Sequence, residues 1–154
     1  MSRLSTLPPL PLDWCRRRLT GAIAMPPRLV VAAAVIERDG RLLVTRRLAG
    51  THLAGTWEFP GGKCDEGESL EGCLARELLE ELGVAARIGE TLMTTTHHYP
   101  ERSIELHFMR CEIDGQPQAM LHQEMRWIAR DDLDALDFPP ADAALIEQLK
   151  RDTR

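Results

Sequence analysis

Glu77, Glu80 and Glu81 fall at i, i+3 and i+4, so an α-helix through them would stack three carboxylates on one face, with Glu68 just upstream. Such groups repel one another unless protonated, paired or bridged by cations, and a set of oxygen ligands is what Mg²⁺ or Mn²⁺ prefers. The same spacing describes an ordinary solvated acidic face, so spacing by itself leaves both open. Arg76 stands beside the cluster, able to reach Glu80 at i+4 or to fold back on Glu68.

These residues need a helix and a frame to hold it. Leu70, Leu74, Leu78 and Leu82 recur at i+4 with Cys73 beside them, which predicts a helix over residues 69–82 with one buried stripe, stopped by Gly83. Upstream, VVAAAVIE and RLLVTR are apolar runs around Asp39-Gly40, a hairpin signal because both turn residues tolerate positive φ. ETLMTTT, the alternating SIELHFM and the short MRWIA read as strands, and residues 141–150 after Pro139-Pro140 read as a closing helix. Several strands with one early crossing helix predict an α+β chain, an α/β/α sandwich with a mixed β-sheet. Residues 1–28 are Arg-rich and interrupted by Pro8, Pro9, Pro11, Pro26 and Pro27. They read as a flexible extension, or as sequence ahead of a true start at Met25; the prolines spoil a transit helix. The domain is expected over residues 29–150, with 151–154 a short tail.

The 154 residues suffice for one domain with a core, and 44% hydrophobic with 28% charged is the composition of a globular protein. The net charge of −5 is uneven: five Arg and one Asp precede Val30, hence +4 there and −9 after it. So acidic a domain argues against a nucleic-acid polymer as partner, and a polyphosphate ligand would need divalent cations to mediate contact. The strongly apolar run over residues 29–36 is far shorter than the roughly 20 residues that span a bilayer, so no membrane partner is expected. Cys15, Cys64, Cys73 and Cys111 form no CxxC pair and read as reduced thiols of a cytoplasmic protein, a monomer or homodimer.

The whole stretch GGKCDEGESLEGCLARELLEELGV resembles the Nudix box of the MutT/Nudix hydrolases. It meets G-x5-E-x7-R-E-U-x-E-E-x-G-U, U being bulky and apolar, through Gly62, Glu68, Arg76, Glu77, Leu78, Glu80, Glu81, Gly83 and Val84. Chance would give that match in on the order of one in ten million chains of average composition, which tips the acidic helix toward function. The resemblance implies a Nudix-type α/β/α sandwich and attack of water on a nucleoside diphosphate linked to another group. Mg²⁺, or Mn²⁺, would be held by Glu77, Glu80, Glu81 and the Gly61 carbonyl; Arg76 would orient the carboxylates and Glu68 would tune the site.

Likeness to the MutT branch, the nucleoside triphosphate pyrophosphohydrolases, extends over residues 30–149 and is clearest in VTRRLAG, THLAGTWEFPGGK and DFPPAD. It implies phosphate contact by Arg47 and Lys63, a ligand-side His52, and a base and phosphate pocket lined by Glu58, Phe59, Pro60 and Gly61. Tyr99 and Arg102 would reach the base. Each has a plainer reading as well: Arg47 solvated, His52 capping a loop, an aromatic of Trp57 and Phe59 in the core, and an exposed turn about Pro100. Two departures stand out. Asp142 occupies the place of an asparagine that reads oxidised guanine; an amide both donates and accepts, an ionised carboxylate only accepts. Guanine reading would require Asp142 protonated, whereas the N4 amino group of cytosine suits the ionised form; an acidic residue at a helix N-terminus is the bland alternative. Some relatives carry a glutamate six residues before Trp127, where this chain has Leu121; Gln123 or Glu124 could substitute.

The expected activity is conversion of a nucleoside triphosphate to monophosphate and pyrophosphate, with 8-oxo-dGTP as leading substrate and CTP or 5-methyl-dCTP as the alternative. A non-catalytic Nudix module that reads a base or a partner is the rival of another class; it could dispense with carboxylates that are all present here.

Overall fold

Strand β1 (Arg28–Arg38) is buried along most of its length, which is why it reads as a continuous apolar run. In the computed structural model, which describes residues 28–51 and 53–152, it is the centre of the molecule. Val31, Ala33 and Val35 join one core, and Ala32, Ala34 and Ile36 join another, as the two-residue period of a strand requires. Expectations that fall on residues 1–27, on His52 and on residues 153–154 lie outside the described residues.

Strand β2 (Arg41–Arg46) turns back on β1 through Asp39 and Gly40, both at positive φ (53° and 74°), as the turn residues predict. Short strands β3 (Trp57–Glu58) and β4 (Gly61–Lys63) pair with β2 and β1, the latter through Ala33 opposite Gly61 and Ala32 opposite Gly62. Long strands β5 (Ala86–His98) and β6 (Ser103–Ile113) form an antiparallel pair, and β6 runs parallel to β1 over nine residues. Strand β7 (Met125–Ala129) completes the sheet against β2. The sheet is therefore mixed, in the order β3-β2-β1-β6-β5, with β4 on β1 and β7 on β2.

Helix α1 (Leu70–Leu82) covers one face, burying Cys73, Leu74, Leu78 and Leu82 against the second core. Ser69 caps it, accepting from the Gly72 N–H, and Gly83 ends it in the left-handed region. Two 3₁₀ turns (Arg130–Ala135 and Pro140–Asp142) lead into helix α2 (Ala143–Arg151), whose Leu145, Ile146 and Leu149 close the first core on the opposite face. This is the α+β sandwich expected.

One expectation fails. Cys64 and Cys73 are joined as a disulfide, Cα atoms 5.2 Å apart and nine residues apart in sequence, rather than standing as separate thiols. A spacing of nine carries no signal in a sequence; the loop after β4 folding onto the second turn of α1 creates the pair. Cys111 is a free thiol, buried, and burial pushes it up to about 12.

Candidate active site

The sequence of α1 decides which carboxylates are buried. Residues at i+4 from Cys73 and Leu74 share their inward stripe, so Glu77 and Leu78 turn in together and Glu81 and Leu82 follow one turn later. Glu77 and Glu81 are buried, whereas the Glu80 side chain stays near half exposed. Two charged residues on an apolar stripe need compensation.

Arg76 supplies much of it. Its Nε and one terminal nitrogen donate to both oxygens of Glu68 at 2.8 Å, a bidentate pair, while the other terminal nitrogen donates to Glu77 Oε1 at 2.8 Å and reaches Glu80 at 3.4 Å. Both alternatives open in the sequence, Glu80 and Glu68, are thus taken by one side chain. These partners raise the Arg76 guanidinium above its usual range. Glu68 is itself aimed by the Asp65 N–H, which donates to it at 2.9 Å.

Gly61 and Gly62 lie against the helix because a strand without side chains allows close approach. A Cβ at Gly62 would fall 2.5 Å from the Glu77 carboxyl carbon, so the glycine forms the floor of the cradle for that carboxylate. The Gly61 N–H donates to the Glu81 carboxylate. Burial nevertheless drives the Glu81 carboxyl well above the usual range, and the negative charges of Glu58 and Glu77 add to that rise.

Glu81 Oε1 is buried with no hydrogen-bond partner. An orphaned carboxylate oxygen beside Glu77, Glu80 and a backbone-lined cradle is a donor set suited to a hard divalent cation, and a bound cation would oppose the factors that raise the Glu81 carboxyl. The carboxylates do not stand ready as a cage: among the described residues no three His, Cys, Asp or Glu side chains are gathered closely enough to hold a metal ion, because Arg76 lies among Glu68, Glu77 and Glu80. Ligation would require these side chains to shift from Arg76 toward the cation.

Beyond Glu81, Arg47 and Glu58 form an ion pair at 2.8 Å with side chains only 2% and 6% exposed. Arg47, expected on phosphate, is thus held by Glu58, and the pair walls the carboxylate helix from a cavity on the other side. That cavity is lined by Arg47, Glu58, Phe59, Tyr99, Asp142 and His97, with apolar side chains between them. Phe59 stacks on Phe138 at 5.6 Å and His97 tilts over Tyr99 at 4.6 Å, so three of the lining side chains are rings fixed by ring contacts. Trp57 and Phe59 are both buried in the first core, and Phe59 serves the cavity as well.

Asp142 is buried at this cavity and stands at the start of α2, the helix N-terminus of the bland alternative, though its side chain makes no capping bond there. Burial pushes its carboxyl up to about 7, Glu58 adds to the rise, and Arg47 opposes it.

The remaining expected residues divide. Pro60 is buried with its carbonyl accepting from Ala34 N–H, and half-buried Lys63 offers its carbonyl to Arg76. Tyr99 lines the cavity; Arg102 is buried and exchanges backbone hydrogen bonds with Tyr99 at the turn, and is not among the residues lining that cavity. At the position of the missing glutamate, Gln123 is the nearer substitute: buried, it donates to the Glu81 carbonyl and accepts from the Leu121 N–H. Glu124 pairs with Arg46 on the surface instead. His97 was not singled out in the sequence, although HHYP at the end of a long alternating strand is a signal that could have found it.

The chain is similar to known proteins of one family. A family model described as "NUDIX domain" matches residues 31–148. The chain is 42% identical over 120 residues to a protein of Escherichia coli K12 named CTP pyrophosphohydrolase, covering 76% of this chain and 87% of that one. It is 41% identical over 125 residues to an 8-oxo-dGTP diphosphatase of Haemophilus influenzae, covering 80% and 92%. The solution structure of the E. coli ORF135 protein superposes with a TM-score of 0.74 at 37% identity, over 84% of this chain and 94% of that one.

Proposed function

The chain belongs to the NUDIX family and is a nucleotide pyrophosphohydrolase; from that premise we propose that it hydrolyses damaged nucleoside triphosphates, 8-oxo-dGTP foremost, to the monophosphate and pyrophosphate with Mg²⁺. The observation that carries the choice of base is Asp142, buried at a cavity with aromatic walls, its carboxyl pushed up to about 7 so that the protonated form is accessible. A protonated carboxyl donates through one oxygen and accepts through the other, which is what an amide would do toward O6 and the N7–H of 8-oxoguanine.

Phe59 and Tyr99 offer faces to the base, with His52 a further candidate on the ligand side. Arg47, released in part from Glu58, and Lys63 meet the phosphates, while Arg102, beside Tyr99 in the turn, is a further candidate at the base. Glu58, Pro60 and Gly61 shape the strand over which the triphosphate passes toward α1. There Glu77, Glu80, Glu81 and the Gly61 carbonyl are the residues that would hold Mg²⁺, with Mn²⁺ as a substitute. The bound ion supplies neutralisation of the phosphate oxygens and makes water a better nucleophile beside them. Arg76 and Glu68 would orient the carboxylates once these have shifted toward the ion, limiting further reorganisation as charge develops. Water would add to the phosphorus next to the α-phosphate and give up its proton to solvent; the P–O bond bridging to the α-phosphate breaks, the nucleoside monophosphate departs, and the water oxygen stays in pyrophosphate.

Two observations favour a second reading, turnover of CTP or 5-methyl-dCTP: the E. coli relative's name, and the fact that an ionised Asp142 would accept from the cytosine N4 amino group. A panel of nucleoside triphosphates with Mg²⁺, read by released pyrophosphate, tests both. Preference for 8-oxo-dGTP over dGTP and the pyrimidines supports the first; preference for cytosine nucleotides replaces it with the second. No pyrophosphate from any of them would refute both and leave a reader of bases.

A further inference from the structure

We propose that Cys64 and Cys73 are a reversible thiol–disulfide site that fastens the loop bearing Glu68 to the helix bearing Glu77, Glu80 and Glu81. Cys64 follows β4 and is half buried, whereas Cys73 is fully buried in the second turn of α1. The bond between them closes a loop around Glu68, whose carboxylate both receives Arg76 and caps the Asp65 N–H. Asp65, Glu66 and Gly67 are exposed, so without the bond this segment is held by local hydrogen bonds and by the partly exposed Arg76 network.

Exposure also sets the order of the chemistry. Cys111 is buried and its thiol is pushed up to about 12, so of the described cysteines Cys64 is the one an external reagent reaches. In oxidation, the Cys64 thiolate attacks one sulfur of a low-molecular-weight disulfide of the glutathione class, breaking that S–S bond and releasing one thiolate. Cys73 then attacks the Cys64 sulfur of the mixed disulfide and releases the second. Two cysteines are oxidised, one external disulfide is reduced to two thiols, and those thiols take up the two protons. A dithiol attacking at Cys64 runs the sequence backwards. The oxidised enzyme keeps the Glu68 loop closed under conditions that also generate oxidised nucleotides, and the site does not depend on which nucleotide is hydrolysed.

The test uses the full chain incubated with excess oxidised glutathione and, separately, with dithiothreitol. Lys63 and Arg76 place both cysteines in one tryptic peptide, residues 64–76. Oxidised, that peptide should be lighter by two hydrogens and refuse alkylation; reduced, it should take two alkyl groups. Reduction should speed amide exchange of residues 65–68 and lower Tm by about 5–10 °C, as expected for opening a loop of this length in a domain of this size. Cys64→Ser should exchange at the reduced rate whatever the redox buffer, and the comparison on the unaltered chain decides even if that variant folds poorly. Two alkylatable thiols persisting in oxidised glutathione, or identical exchange and Tm in both states, would overturn the proposal.

Discussion

Replacing Asp142 by Asn tests the base pocket directly, because it swaps a titratable group for one that donates and accepts at every pH. The ordinary value for this carboxyl is 3.8 and burial carries it to about 7. At about 1.4 kcal/mol per tenfold, the folded state disfavours the ionised form by up to about 4 kcal/mol. The sign follows from proton counting: between pH 4 and 7 the unfolded chain releases a proton that the folded chain keeps. Folding stability is therefore greatest below pH 4 as far as this group goes, declines as pH rises, and levels off above 7. Asp142→Asn removes that decline, so its Tm should exceed the parent's by a growing margin from pH 5 to 8. Substrate choice carries the sharper readout. If only neutral Asp142 reads 8-oxoguanine, the competent fraction falls about tenfold between pH 6 and 8. The ratio of kcat/KM for 8-oxo-dGTP to that for 5-methyl-dCTP should fall at least that much, other pH effects cancelling because both substrates use the same carboxylates. In Asp142→Asn the ratio should be higher and flat. A parent ratio that does not move with pH, or a variant ratio that tracks it, would refute the assignment.

Other outcomes follow from the same geometry. Glu81→Gln should cut kcat by at least about 10²-fold while Tm holds or rises, since the variant loses a carboxylate at the cation site but also a buried ionisable group; steady-state kinetics beside calorimetry separates the two. Gly62→Ala should impair turnover strongly, because the new Cβ would meet the Glu77 carboxyl at 2.5 Å, and restoring activity with extra Mg²⁺ should fail, as the obstacle is steric. Glu58→Leu should lower stability in denaturant unfolding by removing the buried partner at 2.8 Å from Arg47, whereas Arg47→Met with Glu58→Leu should recover part of it yet remain poor in substrate affinity.

The chain by itself determined the frame and the acidic helix. The i+4 leucines of α1, the Asp39-Gly40 turn and the apolar run of β1 are local patterns, and local patterns survive in sequence because each depends on neighbours a few residues away. The nine positions from Gly62 to Val84 named the chemistry in the same way. What needed the folded molecule was everything set by contacts distant along the chain. Arg47 meets Glu58 across β2 and β3, Asp142 comes to the same cavity from the start of α2, and Gln123 reaches the Glu81 carbonyl from the segment before β7. Cys64 bonds Cys73 for the same reason. Burial is a property of the assembled layers, and burial is what moves the Asp142 and Glu81 carboxyls upward, so residue type could nominate those groups while only packing decided the direction of their shifts.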